Sequence, residues 1–442
     1  MRNGKVQYEL FENALSGQIA LEDVFKAYYD CRKSKRRTIN ALSFELDFER
    51  ELVRLWQEIN SGTYKIGRSI AFIVQKPVQR EVFAADFRDR VVHHLVISKI
   101  NSLFEKEFIA DSYSCRAGKG TLYGVKSVQT QIEACSEGYT RDCYVLKLDI
   151  RSFFMSIDKT ILYRMLHQFL NEKYHQPDKT ILLRLIKQII FNCPEDNCVI
   201  KGSRADWNGL PYYKSLFWSA RCCGLPIGNL TSQIFANFYL DRLDKYITEN
   251  LGFRYYGRYV DDFVLIHPDK KVLLDARVKI DSFLRSELHL NLHPLKFYLQ
   301  HYAKGVKFIG AVIKPHRVYV GNRSKSNLYG KINNMLPHMS RSLQNTLAGL
   351  DALMACANSY IGLMRHYNTY RLRCRILDKL DKTFLSEALE FAPNASKLAV
   401  NKLFRPLEQK KRQLRQQRLY RRRQRNVCRS DIIISHNIKE KD

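Results

Sequence analysis

Two short hydrophobic runs that carry aspartates constrain the fold of this chain more than any other feature. The segment YVLKLDI at 144–150 has Asp149 as its second-last residue, and RYYGRYVDDFVLIH at 254–267 has Asp261 and Asp262 between two β-prone halves. Such runs are typical of buried strands. Because burying an unpaired carboxylate is costly, aspartates embedded in them indicate ion pairing or metal binding.

The rest of the hydrophobic pattern predicts helices with a few further strands. In the second aspartate run, the turn between the two strands is expected near Gly257 and Asp261. Helices are expected at 86–109, 158–190, 232–248 and 270–288 and throughout 325–400, with a strand at 69–77 and a hairpin at 307–321. Strands that carry carboxylates, with helices packed behind them, make an α+β fold.

The charge of the chain indicates a polyanionic partner. The 442 residues have a formal net charge of +29, and the segment 401–442 alone holds fourteen Lys and Arg against four Asp and Glu. Nucleic acid is favoured over an anionic membrane, because the chain shows no amphipathic or lipidated anchor and no run of eighteen apolar residues. The eleven cysteines lack the spacing of a disulfide framework or a zinc site, which favours reduced thiols in the cytoplasm.

Aspartates on neighbouring strands suit phosphoryl transfer. That chemistry needs positive charge at the attacking and leaving oxygens, which two Mg²⁺ ions about 3.5–4 Å apart supply when carboxylates hold them. An Asp-Asp pair by itself is far more typical of a polar β-turn than of a metal site. The order of the surrounding motifs therefore has to decide between the two interpretations.

That order resembles the palm and fingers of reverse transcriptases. YVDD at 259–262 is similar to the palm signature of that family. Further palm-like motifs are LDIRSFF at 148–154, GLPIGNLTSQ at 224–233, LNLHPLK at 290–296 and GVKFIG at 305–310. The segments at 75–96 and 112–121 resemble the fingers motifs of bacterial group II intron-like enzymes.

One motif resembles a particular subgroup, the reverse transcriptases of diversity-generating retroelements. Most relatives have Gln-Gly and Ser-Pro in the second palm motif, whereas this chain has Ile227-Gly228 and Ser232-Gln233. WNGLPYYKSLF at 207–217 and SYIGLMRHYNTYRLR at 359–373 are also similar to that subgroup. These bacterial and phage systems copy a template RNA with errors at adenines, and the cDNA rewrites part of a target gene.

The resemblance implies a right-hand polymerase with fingers, a split β-α-β palm, a helical thumb and a basic extension. The expected parts are an N-terminal helical extension at 1–74, fingers at 75–143, a palm at 144–320 with an inserted segment at about 175–220, a thumb at 321–400 and a basic tail at 401–442.

The resemblance also implies roles for individual residues. Asp149, Asp261 and Asp262 are the expected catalytic residues, and with the Ile150 carbonyl they are the expected ligands of two Mg²⁺ ions, with Mn²⁺ as an alternative. Lys296 is the candidate general acid for the pyrophosphate leaving group.

Further residues are expected to bind the incoming nucleotide. Lys76 and Arg80 would grip the triphosphate, and Phe154 would exclude a 2′-hydroxyl. Because side chains alternate along a strand, Phe153 would then face the core. Ile227, Gly228 and Gln233 complete the expected nucleotide pocket.

Nucleic-acid contacts are expected from residues of the fingers and thumb, Arg116, Lys119, Arg365, His366, Tyr367, Arg371 and Arg373. For each cation the competing interpretation is a solvated surface charge, and for Phe154 it is a core phenylalanine. The expected partners are template RNA, the RNA/DNA primer duplex, dNTPs and a small basic accessory variability protein that forms a pentamer. No membrane is expected, and the location is the cytoplasm of a bacterium, with a bacterial or phage gene.

Several alternatives remain open from the residues alone. A retron, group II intron or phage-defence reverse transcriptase would share the catalytic aspartates. A non-catalytic RNA-binding protein with the same fold would not need them. An RNA-dependent RNA polymerase or a nucleotide cyclase would share the carboxylate geometry, although YVDD and Phe154 favour dNTPs.

Overall fold

The structure is a computed structural model that describes residues 17–33, 38–76, 78–336, 343–381 and 389–401. It divides into two compact units, Met1–Ile309 and Gly310–Asp442. The boundary between palm and thumb was expected later, at residue 320. The basic tail that the sequence analysis singled out lies outside the described residues, apart from its first residue.

The first unit combines helices with strands. Its helices are α1 (Leu21–Lys33), α2 (Ile39–Glu45), α3 (Phe48–Ser61), α4 (Phe87–Glu107), α5 (Thr121–Cys135), α6 (Phe153–Ser156), α7 (Lys159–Lys173), α8 (Lys179–Phe191), α9 (Leu230–Lys245) and α10 (Lys270–Leu288). Its strands are β1 (Ser69–Val74), β2 (Arg80–Ala84), β3 (Tyr144–Asp149), β4 (Cys198–Ile200), β5 (Tyr256–Tyr259), β6 (Asp262–His267), β7 (Tyr298–His301) and β8 (Val306–Phe308).

A four-stranded antiparallel sheet carries the aspartates, in the order β5–β6–β3–β7. Its central strands are apolar because both are covered: Leu146 and Leu148 of β3 and Phe263–Ile266 of β6 are buried. Helix α5 packs against β5 and β6, and α10 packs against β6. This burial confirms the two strands that the sequence predicted.

The turn of the second aspartate run differs in one respect from the prediction. It lies at Val260 and Asp261, as expected, but Gly257 is inside β5 rather than in the turn. Glycine is needed there because the ring of Tyr113 approaches the strand so closely that a Cβ would lie 2.8 Å from Tyr113 Cε2.

A second, three-stranded sheet has the order β2–β1–β4. Strands β1 and β2 form an antiparallel hairpin, and β4 adds to β1 in parallel, with Ser69 opposite Cys198. The segment 175–220, which was expected to be an insertion in the palm, therefore contributes β4 as the third strand of the sheet that begins at residue 69. The predicted boundary at residue 74 cuts through this hairpin.

The long helices follow the predicted pattern with one break. Helix α4 confirms the helix expected at 86–109, and the Asp86 carboxylate caps it by accepting from Arg88 N. The helix expected at 158–190 is two helices, because the chain is extended at Tyr174 and Pro177 precedes α8.

The described residues of the second unit form a hairpin, three helices and a short strand pair. Its elements are β9 (Ala311–Lys314), β10 (Arg317–Val320), α11 (Asn322–Met335), α12 (Leu343–Met364), α13 (Tyr370–Asp381), β11 (Leu389–Phe391) and β12 (Leu398–Val400). The hairpin of β9 and β10 confirms the hairpin expected in this region.

The expectation of helix throughout 325–400 is wrong, because β11 and β12 pair antiparallel. Pro393 and Asn394 lie between them, and Asn394 adopts a left-handed φ of 57°. A helix cannot continue through that backbone.

Two features bear on the class of protein. Within the described ranges, no helix is long and apolar enough to cross a membrane. The ten cysteines of those ranges are all free thiols. With its helices and sheets mixed in this way, the chain has the α+β fold expected from the sequence.

Candidate active site

The register of two neighbouring strands brings the aspartates together. In the antiparallel pair of β3 and β6, Asp149 lies directly opposite Asp262, and Asp261 precedes Asp262 in the tight turn after β5. Residues directly opposite in such a pair have Cβ atoms about 4.5–5.5 Å apart. Hence the pairing of two central strands from distant parts of the sequence places three carboxylates together, at the end of β3 and the start of β6.

The backbone around these aspartates is fixed by hydrogen bonds. Ile150 N donates to the Asp261 carbonyl at 3.3 Å, and His293 N donates to the Asp149 carbonyl at 2.7 Å. Ile150 also forms an isolated antiparallel bridge with Leu292. The segment after α10 therefore completes the site from the other side of β3, next to Lys296. The role of the Ile150 carbonyl as a metal ligand stays a prediction.

The three carboxylates lie where negative charge is costly. Burial, then the neighbouring Asp149 and Asp262, raise the pKa of Asp261 to about 6. Burial also raises the pKa of Asp262, although Lys147 opposes this shift. Asp149 is only 8% exposed. The site thus concentrates negative charge that a cation would stabilise.

Two lysines supply positive charge to the site. Lys296 Nζ lies 2.8 and 2.9 Å from the two carboxylate oxygens of Asp149, and Lys147 Nζ lies 3.0 Å from Oδ2 of Asp262. Burial comes first among the causes that lower the pKa of His293, followed by nearby Lys296. Because it contacts both oxygens of Asp149, Lys296 lies close enough to the aspartates for its predicted role as a general acid.

The carboxylates of the site supply the kind of ligand atom that Mg²⁺ requires. Carboxylate oxygens are the hard donors that this ion prefers. Burial first, and then the neighbouring Asp149 and Asp262, raise the pKa of Asp261, so a cation would stabilise its charged form. In the part of the chain that the structure describes, however, no three acidic, His or Cys side chains are grouped closely enough to hold a metal ion. The donor chemistry fits Mg²⁺, while Asp149 and Asp262 are each paired with a lysine.

The predicted nucleotide pocket is attached to the β2–β1–β4 sheet, which is called the fingers sheet from here on. The Ile227 carbonyl accepts from Phe83 N of β2 at 3.0 Å, and the Ile227 side chain packs on a small cluster of Ala71, Phe83, Met155 and Leu216. Gly228 has a φ of 116°, and a Cβ there would lie 2.7 Å from Val82 Cγ1. Glycine is therefore required by both the conformation and the close approach.

The other predicted nucleotide contacts are on or near the same sheet. Lys76 and Arg80 are both exposed, before and at the start of β2. Gln233 is exposed on α9, and its Oε1 accepts from the Cys115 thiol at 3.3 Å. Their roles toward a triphosphate or base remain predictions.

Phe153 and Phe154 differ in burial, although not for the reason expected. They begin the short helix α6 rather than continuing a strand, so strand alternation does not apply. Phe153 is 2% exposed in the main core, whereas Phe154 is half-buried between that core and the smaller cluster beneath Ile227. Phe154 remains the candidate for the residue that contacts the sugar.

Two of the residues predicted to contact nucleic acid, Arg116 and Arg373, have largely buried side chains that bind other groups of the protein. The guanidinium of Arg116 pairs with Glu105 at 2.9 Å and donates to the carbonyls of Ile109 and Ser112, and its side chain is 5% exposed. Arg373, in the second unit, is 8% exposed and donates to the carbonyls at 394 and 395. Such positions suit scaffold contacts better than phosphate binding.

The remaining predicted contacts are more accessible. Lys119 is half-buried, donates to the Ala110 carbonyl and lies 5.5 Å from the ring centroid of Tyr123. Arg365, His366 and Arg371 are exposed, and Tyr367 is half-buried. Arg365, His366 and Arg371 thus offer a basic surface within the second unit.

A buried ion pair that sequence reasoning missed supports the aspartate turn. Arg258 of β5 and Asp244 of α9 are both fully buried and lie 2.5 Å apart. The same guanidinium donates to the carbonyl of Val260 at 3.1 Å, and Tyr256 donates its hydroxyl proton to Asp244 at 2.7 Å. The charge of Arg258 next to a YVDD-like turn was the available signal, but its partner could not be read from the sequence.

The network continues to a strained residue. Val260 has a left-handed φ of 57°, unusual for a β-branched residue, and its N–H donates to Ser114 Oγ at 3.2 Å. Asn237 of α9 donates to the Ser114 carbonyl at 2.6 Å. Hydrogen bonds at both its N–H and its carbonyl therefore hold Val260 in the conformation that precedes Asp261.

Comparison with known proteins identifies the relatives of this chain. The profile of the family described as "Reverse transcriptase (RNA-dependent DNA polymerase)" matches residues 79–313. Protein YkfC of Escherichia coli (strain K12) is 23% identical over 338 residues, which cover 69% of this chain and 79% of YkfC. Nuclear intron maturase 4, mitochondrial, of Arabidopsis thaliana is 22% identical over 337 residues, which cover 66% of this chain and 37% of the maturase.

Similar solved structures are telomerases of Candida species. Apo telomerase from Candida tropicalis has a TM-score of 0.44 at 14% identity, over 72% of this chain and 61% of that chain. Telomerase from Candida albicans in complex with a fragment of telomeric RNA has a TM-score of 0.41 at 11% identity, over 72% and 60%. The chain therefore spans about three fifths of these telomerase chains and little more than a third of the maturase.

The buried ion pair gives a stability prediction. Replacing Arg258 by Met leaves Asp244 buried without its partner, and we expect the free energy of unfolding to fall by about 3–5 kcal/mol. Urea denaturation measures this. The matched control is Arg285→Met, which removes an exposed pair with Asp281 on α10 and should cost about 0.3–0.5 kcal/mol. Equal losses in the two variants would contradict the role given to the buried pair.

The raised pKa of Asp261 gives a pH prediction. A carboxyl whose pKa is about 6 when folded and near 4 when unfolded stabilises the folded protein at low pH, and this contribution is lost as pH rises from about 4 to about 6. Compared with Asp261→Asn, the wild-type protein should lose about 3 kcal/mol of stability across that range.

Denaturation at several pH values in buffer without divalent cations tests this. The control is Asp275→Asn, which removes a carboxylate that is 63% exposed on α10. Parallel pH profiles of wild type and Asp261→Asn would show that the carboxyl of Asp261 titrates normally.

Proposed function

This chain belongs to the reverse-transcriptase family, and on that premise we propose that it is an RNA-directed DNA polymerase that adds dNTPs to a primer 3′ end. The observation that carries the proposal is the register of β3 and β6, which sets Asp149 opposite Asp262 beside Asp261. The family match covers residues 79–313 and includes all three aspartates.

Asp149, Asp261 and Asp262, with the Ile150 carbonyl, would hold two Mg²⁺ ions, with Mn²⁺ as an alternative. Bound there, the ions supply positive charge to the attacking and leaving oxygens. For the metal ions to bind, Asp149 and Asp262 must release the lysines with which they are paired. Lys296, which contacts both oxygens of Asp149, is then available to give a proton to the departing pyrophosphate.

The other side chains bind and select the nucleotide. Lys76 and Arg80 are exposed cations that suit the triphosphate. Phe154 is the only one of the two adjacent phenylalanines that retains an accessible face, so it is the ring that would exclude a 2′-hydroxyl. In the second unit, Arg365, His366, Tyr367 and Arg371 would contact the phosphates of the template–primer duplex, and binding should weaken as salt rises.

We further propose that the enzyme acts in a diversity-generating retroelement and miscopies template adenines. The support is Ile227, a branched hydrocarbon at the position where most relatives have Gln, held against the fingers sheet by its carbonyl. Base selection that relies on apolar shape is weaker than selection that relies on hydrogen bonds. A small basic pentameric accessory protein would be the partner, and the bacterial cytoplasm the location.

Primer extension on an RNA template tests the polymerase. Asp149→Asn and Asp261→Asn each remove one anionic donor, and we expect the rate to fall at least about a hundredfold. Asp275→Asn, which changes an exposed carboxylate, should retain the wild-type rate. Extension at close to the wild-type rate in either site variant would exclude this mechanism, and equal use of rNTPs would indicate an RNA polymerase instead.

Error rates test the retroelement assignment. Ile227→Gln restores a side chain that can hydrogen-bond, so misincorporation opposite template adenines should fall by about tenfold or more. Ile227→Leu keeps an apolar side chain of the same size and serves as the control. Sequencing of the cDNA gives both rates, and an unchanged error at adenines in Ile227→Gln would remove the main support for this assignment.

A further inference from the structure

The segment 207–218 has one side anchored in the protein and one side open to solvent. Glu81 of β2, which is 1% exposed, accepts at 2.6 Å from Trp207 Nε1, from Ser215 Oγ and from Leu216 N. Leu216 is buried in the small cluster under the fingers sheet. The segment is thus held rigidly by a buried carboxylate and does not depend on its outer side for stability.

The outer side displays aromatic rings. Trp218 is 75% exposed and Tyr212 is 68% exposed, and the ring of Tyr212 lies 5.5 Å from that of Tyr213 in an edge-on arrangement. Aromatic side chains that are this large and exposed are uncommon unless they contact a partner. Because their backbone is anchored, they form a fixed surface.

Positive charge lies against the same rings. The Arg151 guanidinium lies 5.2 Å from the ring centroid of Tyr213, and Lys214 Nζ lies 6.0 Å from it. Arg151 and the three aromatic residues line a cleft of about 310 Å³ together with Ser152, whose hydroxyl is buried without a hydrogen-bond partner. No carboxylate is among the described residues that line the cleft.

The cleft begins two residues after the end of β3, at Arg151. Arg151 N donates to the Asn291 carbonyl at 2.9 Å, and Ile150 separates Arg151 from Asp149. A ligand in the cleft would therefore lie next to the proposed polymerisation site. Aromatic faces combined with cations suit unpaired bases on a phosphate backbone, whereas the bases of a duplex have no free face to stack.

We propose that Tyr212, Tyr213 and Trp218, with Arg151 and Lys214, form a stacking platform that binds single-stranded nucleic acid beside the active site. The inference rests on the proposed function, since it deepens the account of how that site holds its nucleic acid. A net charge of +29 on the chain favours such a polyanion over a second copy of the same protein.

The tryptophans of the described residues allow a direct test. Trp56 donates to the Ile19 carbonyl and Trp207 donates to Glu81, so Trp218 is the one whose ring is largely open. Oligo(dT) and oligo(U) are titrated separately into the full chain in EDTA, without dNTPs, while tryptophan fluorescence is followed. We expect stacking to quench the fluorescence, and the two titrations show whether DNA or RNA binds more tightly.

Variants separate stacking from other effects. Trp218→Ala and Tyr212→Ala should each weaken oligonucleotide binding, followed by fluorescence anisotropy, by about tenfold. Trp218→Phe should keep most of the affinity and lose most of the quenching. The control is Tyr29→Ala, which removes a ring that is 51% exposed on α1 and should leave the affinity unchanged.

The outcomes distinguish this inference from the proposed function. Absence of quenching in the wild type, unchanged quenching in Trp218→Phe, or an equal loss of affinity in Tyr29→Ala would overturn the platform; the first result would leave a protein partner as the occupant. If the oligonucleotides bind as described but the wild type extends no primer, the polymerase proposal fails and the platform stands.

Discussion

The pair of Arg258 and Asp244 is the interaction on which the geometry of the site depends. Both side chains are fully buried, so neither charge can be satisfied by water if the other moves. The pair joins α9, which follows the nucleotide-pocket motif, to β5, which leads into the aspartates. It thereby fixes the position of the pocket relative to the carboxylates, and the additional hydrogen bond to Val260 extends this control to the turn.

Around that fixed frame the charges of the site are balanced only in part. Lys296 and Lys147 each neutralise one carboxylate, while burial and its two acidic neighbours leave Asp261 with a pKa of about 6. Side chains that are held close together with unbalanced charge are a common basis for binding a charged ligand. The large apolar core beneath the sheet, to which β3 and β6 both contribute, offsets the stability that this arrangement of charges costs.

The sequence predicted the parts of the structure that depend on local pattern. The strands that carry Asp149 and Asp262 could be recognised because buried strands are almost continuously apolar, and their motif order indicated that they pair. Features that depend on distant partners could not be recognised. In the sequence Arg116 was interpreted as a basic residue of the fingers that contacts nucleic acid, whereas in the structure it forms an ion pair with Glu105. Likewise, nothing in the sequence indicates that Asp244 is the partner of Arg258.

Local sequence patterns also gave wrong predictions where the same pattern is compatible with both a helix and a strand. The pair Phe153-Phe154 was interpreted as a strand end, but the chain turns into α6 at Ser152, which has a left-handed φ of 51°. The strands at 389–400 follow a long helical pattern and are short, so periodicity could not reveal them. The motif that resembles retroelement enzymes predicted the position of Ile227, and its effect on base selection stays a prediction.

The parallel pairing of β4 with β1 has a consequence for how the chain folds. Strand β1 ends at Val74 and its second partner, β4, begins at Cys198, so the fingers sheet contains contacts of long sequence separation, which form slowly. During synthesis the hairpin of β1 and β2 emerges well before β4, and one edge of β1 has no strand to pair with in the interval. Open strand edges of this kind attract other chains, so the nascent protein passes through a stage at which aggregation competes with completion of the sheet.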